Sequence, residues 1–154
     1  MNANTRAALA RLLRKERVAH LATLRQGAPM ASMTLYLPET GFGAFHVHVS
    51  RLAWHTQDMA GDPRVALSIA ETDDGRADPF TLMRVSIRGV AEQLLGEQQE
   101  LQTRWLKRFP EHKINFELPD FSFWRIVPRD ARFVAGFGRI HNLLAAELAA
   151  CSSS

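Results

Sequence analysis

The stretch MASMTLYLPETGFGAFHVHVS, Met30 to Ser50, decides the fold class of this chain. Polar and apolar residues alternate over 30–37 and again over 42–50, which is the period of a β-strand with one buried face. The first run places three side chains on a polar face: Ser32, Thr34 and Tyr36. Its other face carries Ala31, Met33, Leu35 and Leu37. The intervening PETG is typical of a turn, so the two runs predict an antiparallel hairpin.

Similar short runs recur along the rest of the chain and are separated by turns. They predict strands at 18–24, 64–71, 81–94, 121–127 and 131–137, the third with a bend at Gly89. Helical spacing predicts helices at about 5–17 with Thr5 as its cap, at 52–60, at 97–109 and at about 142–150. Because no strand–helix–strand rhythm runs through the chain, we expect a mainly β, antiparallel barrel or sandwich with flanking helices.

Length and composition fit one globular domain spanning 1–154. The chain has 154 residues, of which 46% are hydrophobic and 23% charged. No apolar run approaches the roughly 20 residues of a membrane span. The N-terminus also lacks the features of a signal peptide, so we expect a cytoplasmic protein without a membrane partner. A single cysteine, Cys151, predicts no disulfide framework.

The net charge of +3 suits an anionic ligand. The basic residues cluster only in 11–17 and accompany no nucleic-acid-binding motif, so we expect no nucleic-acid partner.

Three histidines, His46, His48 and His55, lie close together in the sequence. A zinc site would need a third well-placed ligand and acceptors for the outer imidazole nitrogens, and no HExxH or CxxC motif accompanies these residues. We therefore predict no metal site. The simplest interpretation of His46 and His48 is that they are exposed on a strand face.

The end of the same stretch suits an anion. Ser50 and Arg51 follow a strand, and His55 and Thr56 begin a helix, which offers hydroxyls, a guanidinium, an imidazole and free N–H groups to a phosphate. The alternative is that this turn only caps the helix.

Two further sets of residues are site candidates. In GFGRIH, 136–141, Arg139 and His141 would lie together beyond a strand end, although a glycine-kinked edge strand explains the same pattern. Core packing is the expected role of three tryptophans: Trp54, Trp105 and Trp124. No motif presents a serine nucleophile, so the sequence leaves the catalytic residues unknown.

Several segments together resemble one known family. They are RVAHLATL, GAPMASMTLYL, HVSRLAWHTQDMAGDPRVALS, RVSIRGVAEQL and DFSFWRIVPRDARFVAGFGRIHNL. In this order and spacing they resemble the pyridoxamine 5′-phosphate oxidase-like split barrels that bind flavin mononucleotide (FMN), over Val18 to Asn142. The HT…DPRV and FSFWRIVP…GFGR combinations are most similar to the haem-utilisation branch of that family.

The resemblance implies a six-stranded antiparallel split β-barrel that forms a homodimer, with FMN and a small-molecule substrate at the interface. Ser32, Met33 and Thr34 match the strand that lies along the flavin. The phosphate-binding segment is matched by Ser50, Arg51, His55 and Thr56. Arg84 matches a flavin contact from the other subunit, and Arg139 and His141 match substrate-binding positions.

Departures from the family pattern argue against oxidation of pyridoxamine phosphate. Asn142 and Leu143 stand where the oxidases have an acidic residue and a flavin-contacting Arg, and Phe133 replaces a flavin-packing Trp. The resemblance thus favours an FMN-dependent oxidoreductase in which the flavin supplies the chemistry. The alternatives are a haem-binding or haem-degrading protein, with histidine as an iron ligand, and a non-enzymatic dimeric binding module.

Overall fold

The computed structural model describes all 154 residues and consists of one antiparallel sheet with four α-helices around it. The strands are β1 Val18–Arg25, β2 Ala28–Leu35, β3 Leu37–Pro38, β4 Phe45–Ser50, β5 Arg64–Ala70, β6 Arg84–Gln93, β7 Phe121–Val134 and β8 Ile140–Leu144. The helices are α1 Ala3–Lys15, α2 Trp54–Gly61, α3 Gln99–Arg108 and α4 Ala145–Ala150. Short 3₁₀ segments cover Pro79–Thr81, Pro110–Glu117 and Cys151–Ser153. No helix is long and apolar enough to cross a membrane.

The strand order is β2-β1-β5-β6-β7-β4-β3, and β8 pairs with the free part of β7. This confirms a mainly β antiparallel architecture. The sheet has eight strands where the resemblance implies six, because the two-residue β3 and the five-residue β8 join six longer strands.

The predicted hairpin between 30–37 and 42–50 is wrong for most of its length. Strand β2 pairs with β1 from Val18↔Leu35 to Arg25↔Ala28, whereas only Leu37 and Pro38 pair with β4. The cause is the turn between β1 and β2, where Gln26 and Gly27 have φ of 53° and 80°. Positive φ at both central residues forms the tight turn whose twist matches a two-stranded ribbon.

The buried face of β2 is the opposite of the predicted one. Met33 is 64% exposed, while Thr34 and Tyr36 are buried. Tyr36 tolerates the interior because its hydroxyl donates to the Leu13 carbonyl at 2.9 Å. Burial accordingly raises the pKa of Tyr36.

Segments 121–127 and 131–137, predicted as two strands, belong largely to the single strand β7. Pro128 does not interrupt it, because on that edge β4 pairs with β7 only as far as Ile126, and β8 pairs with β7 only from Asp130 onward. On the other edge, the register shifts at Gly89, where an added Cβ would lie 2.3 Å from the Val127 carbonyl oxygen. The bend predicted at Gly89 is therefore confirmed.

The helix ends also differ from the predictions. Asn2, not Thr5, caps α1, because its side chain accepts the Thr5 N–H at 2.8 Å. The helix predicted at 142–150 begins only at Ala145, since Ile140–Leu144 pair with the free edge of β7 as β8.

The interior has two parts. The main cluster lies between the sheet and α1 and includes Leu9, Leu13, Phe45, Ile87 and Phe133. A second cluster lies under α3 and contains Leu37, Leu101, Trp105, Phe109 and Phe123.

Candidate functional site

The turn between β4 and α2 is held by Asp120. The Ser50 hydroxyl donates to the Asp120 carboxylate at 2.5 Å and accepts the Leu52 N–H at 3.1 Å. The Arg51 N–H donates to the Asp120 carbonyl at 2.8 Å. The Ser50 hydroxyl is therefore already satisfied within the chain.

The N-terminus of α2 has unused hydrogen-bonding capacity. Its N-cap residue, Ala53, has no side chain that could cap the helix, and the N–H groups of residues 54–56 have no acceptor. The Thr56 hydroxyl is buried without a partner, and the exposed Arg51 side chain forms no ion pair. Free N–H groups at the positive end of a helix dipole attract anions.

His55 lies half-buried in the same turn. Burial lowers its pKa, and the nearby Asp58 opposes that shift. The imidazole is therefore neutral at pH 7 and can act as a hydrogen-bonding group or metal ligand.

His46 and His48 are not exposed, so that interpretation is wrong. His46 is 5% exposed, with its Nε2 3.6 Å from the Glu39 carboxylate. The His48 ring stacks on Phe116 with centroids 4.2 Å apart, and burial lowers its pKa to about 4. No group of three or more His, Cys, Asp or Glu side chains is arranged to hold a metal ion.

The three candidate residues on β2 do not share one surface. Met33 points outward, opposite His20 on β1. Thr34 is buried, and its hydroxyl donates to the Leu35 carbonyl at 3.1 Å. Ser32 is half-buried on the same side of the strand as Thr34.

Arg84, Arg139 and His141 lie at the far end of the sheet. Arg84 pairs with Val134, the last residue of β7, whereas Ser50 pairs with Phe121, its first. The Arg84 guanidinium donates to the carbonyls of Phe80 and Leu82 at 3.1 and 3.0 Å. Within one chain, these residues and the Ser50–Thr56 turn are thus at opposite ends of a fourteen-residue strand.

Around this far end, Gly136 has a φ of +107° in the turn that leads to Arg139. His141 is half-buried, and its ring lies nearly parallel to Phe133 with centroids 6.4 Å apart.

Two features were not predicted from the sequence. Trp54, expected in the core, is 56% exposed, and the Arg25 guanidinium lies 4.0 Å from its ring centroid. A groove of about 640 Å³ also runs over β6, β7 and β8. Its polar lining includes Ser86, Arg88, Asp130, Arg132 and Asn142. Both features depend on contacts between residues that are distant in sequence. The only local indication of either one was the position of Trp54 beside Arg51 and His55.

The fold and the strand-to-helix turn define a curved antiparallel half-barrel of the split-barrel class. The family model described as pyridoxamine 5′-phosphate oxidase matches residues 5–135. The chain belongs to this family.

Relatives similar to the chain lie in the haem-utilisation branch. A chloroplastic non-canonical haem oxygenase, HOZ, from Arabidopsis thaliana is 32% identical over 113 residues, which are 72% of this chain and 33% of that protein. This chain thus spans about a third of that relative's length. The structure of a haem-binding protein from Mycobacterium smegmatis is 32% identical, has a TM-score of 0.80, and is matched over 94% of this chain and 60% of that one.

The fold is also shared with HutZ, described as a haem storage protein, from Vibrio cholerae. The TM-score is 0.65 at 24% identity, over 75% of this chain and 84% of that one.

Proposed function

We propose that this protein binds haem, and that it is not a flavin-dependent oxidase. The observation that carries the proposal is that the Ser50 hydroxyl is already bonded to the Asp120 carboxylate. This donor is therefore not available to a flavin phosphate, which carries two charges and needs more donors than a singly charged carboxylate. The relatives that are about one third identical and named for haem support the same conclusion.

A haem propionate carries less charge than a phosphate and needs fewer donors. The free N–H groups at the start of α2 and the unpaired Arg51 guanidinium suit such a carboxylate. Haem binding also requires an accessible imidazole if histidine ligates the iron. His20 is exposed, and four further histidines are half-buried: His48, His55, His112 and His141. Of these, His48 is stacked against Phe116 and its Nδ1 is buried.

Oxidation of pyridoxamine phosphate is not proposed. Leu143 is 7% exposed and Phe133 is fully buried, so neither presents a polar group to a ligand. The Asn142 side chain accepts from Arg132 at 3.0 Å.

We further propose that the working unit is a homodimer. The predicted ligand contacts of one chain lie at opposite ends of β7, so a site that uses both sets requires a second copy. The outward sheet face offers apolar residues for such an interface: Val18, Met33, Ile140 and Leu144. The mass in solution, measured by light scattering, should be twice the chain mass of 17.3 kDa, and a monomer would contradict this proposal.

The test is a parallel titration of the purified protein with haem and with FMN. We expect a saturable shift of the Soret band with haem and no change in the FMN spectrum at micromolar ligand. FMN binding without a haem shift would overturn the proposal. Addition of a reductant to the haem complex in air-saturated buffer, which supplies the dioxygen that ring cleavage consumes, then distinguishes degradation, seen as loss of the Soret band, from binding alone.

Flavin binding is the second candidate. It is favoured by the buried, unpaired Thr56 hydroxyl close to the free N–H groups of α2. These groups and Arg51 and His55 are the ones that would hold the phosphate. The FMN arm of the titration tests this candidate directly.

A further inference from the structure

Trp54 is the exposed tryptophan of the chain. It is 56% exposed, whereas Trp105 and Trp124 are 1% and 5% exposed. Leaving a large indole in water forgoes the free energy of its burial, so an exposed indole that the fold also holds in place is a candidate contact surface.

Arg25 covers one face of that indole. Its guanidinium carbon lies 4.0 Å from the ring centroid, the arrangement of a cation–π contact. Arg25 in turn donates to the Asp58 carboxylate at 2.8 Å. Asp58 is 5% exposed and also accepts the Thr23 hydroxyl at 2.7 Å. The position of the surface indole is therefore coupled to a buried hydrogen-bond network.

The surroundings of Trp54 are complementary to a negatively charged ligand. Trp54 is the first residue of α2, so its ring lies beside the helix end whose N–H groups have no acceptor. Arg51, which is exposed and unpaired, precedes it by three residues. An apolar ring surface and anion-binding groups are thus brought together in one turn.

We propose that Trp54 is a stacking platform for a flat conjugated ring that carries a carboxylate. The inference rests on the proposed function, under which that ring is the haem porphyrin. Arg25 is a positioning residue, which holds the indole so that a ring can stack against it. The same contact would serve any planar anionic ring, so the platform can be tested separately from the identity of the ligand.

The experiment compares the haem dissociation constants of the full-length protein and its variants by Soret titration, with FMN titrated in parallel. Trp54→Ala should weaken haem binding by about tenfold or more, the effect expected when one ring-stacking contact is lost. Trp54→Phe should restore most of the affinity. Arg25→Met should weaken binding less than Trp54→Ala, because the indole remains but is no longer held.

The matched control is Leu95→Ala. Leu95 is 81% exposed in the loop between β6 and α3 and belongs to neither set of predicted ligand contacts, so its removal should leave the dissociation constant unchanged. An equal loss in Leu95→Ala would show non-specific adsorption of haem and overturn the inference.

The remaining outcomes separate the inference from the proposed function. Unchanged haem affinity in Trp54→Ala would overturn the platform and leave haem binding intact. If the wild type binds FMN alone and Trp54→Ala weakens that binding, the platform stands while the haem proposal fails. If neither ligand binds, both are overturned. A fall in mass from dimer to monomer in Trp54→Ala, without a change in affinity, would assign the indole to contact between copies instead.

Discussion

The two halves of the segment Phe45–Thr56 have opposite surroundings. In Phe45–Ser50 the strand side chains pack mainly into the interior, with His46 buried and His48 half-buried against Phe116. In 51–56, Arg51, Leu52 and Trp54 are exposed, and the helix N–H groups have no acceptor. Nearness in sequence therefore does not make the three histidines one site. The exposure of Arg51 and Trp54 distinguishes the half that can bind a ligand, since the unpartnered Nδ1 atoms of His46 and His48 in the strand half are buried.

The largest expected effect is on the strand half. Phe45 is fully buried against Tyr36 and Phe42, with ring centroids 6.2 and 6.4 Å away. Phe45→Ala should lower the free energy of unfolding by about 3–5 kcal/mol, as measured by urea denaturation.

Leu52→Ala is the matched control in the helix half. Leu52 is 71% exposed, so its removal should change stability by less than about 0.5 kcal/mol. Similar losses of unfolding free energy in Phe45→Ala and Leu52→Ala would contradict the distinction between the two halves.

A smaller effect on stability is expected when the hydrogen-bond network of Asp58, Thr23 and Arg25 is broken. Asp58→Ala leaves the Thr23 hydroxyl and the Arg25 guanidinium without their acceptor. We expect a loss of about 2–4 kcal/mol in thermal or chemical unfolding, because a partly buried charge loses its partner. Asp58→Asn, which keeps an acceptor but not the charge, should lose less. If Asp58→Ala costs nothing, the network does not hold Arg25 under Trp54.

Local periodicity was enough to predict most elements of the fold. It located the alternating runs of β1, β4, β5 and β6, the helices α2 and α3, and the bend at Gly89. It failed where long-range pairing decided the outcome. The partner of β2, the continuity of β7 past Pro128 and the strand β8 all depend on edges supplied by residues far along the chain.

The candidate site was predicted less completely. The residue types of the Ser50–Thr56 turn indicated anion binding, and their placement around one helix start is as expected. The saturation of Ser50 by Asp120 and the stacking of Arg25 on Trp54 could not be predicted, because each contact joins residues more than twenty positions apart.

The half-buried His48 predicts a pH effect on stability in the strand half. Its pKa is lowered from 6.5 to about 4, first by burial and second by the charge of His112. Below pH 6.5 the unfolded chain therefore binds a proton that the folded chain does not, so stability falls as the pH drops from about 6.5 towards 4.

His48→Phe removes this proton uptake. The slope of unfolding free energy against pH in that window should be shallower in the variant by at most about 1.4 kcal/mol per pH unit. Denaturation curves at several pH values measure both slopes. Identical slopes would show that the imidazole is not shielded by its aromatic neighbours.

The double variant Arg51→Ala/His55→Ala should change stability least and tests the ligand-binding role of this turn most directly. His48→Phe is its control. The central claim is that the helix half of Phe45–Thr56 binds the ligand and the strand half does not. Soret titration should show haem affinity weakened by about tenfold or more in the double variant, since charged hydrogen bonds are lost, with its stability within about 0.5 kcal/mol of wild type. The His48→Phe affinity should equal that of wild type. Unchanged haem binding in the double variant, or loss of binding in His48→Phe alone, would contradict the account.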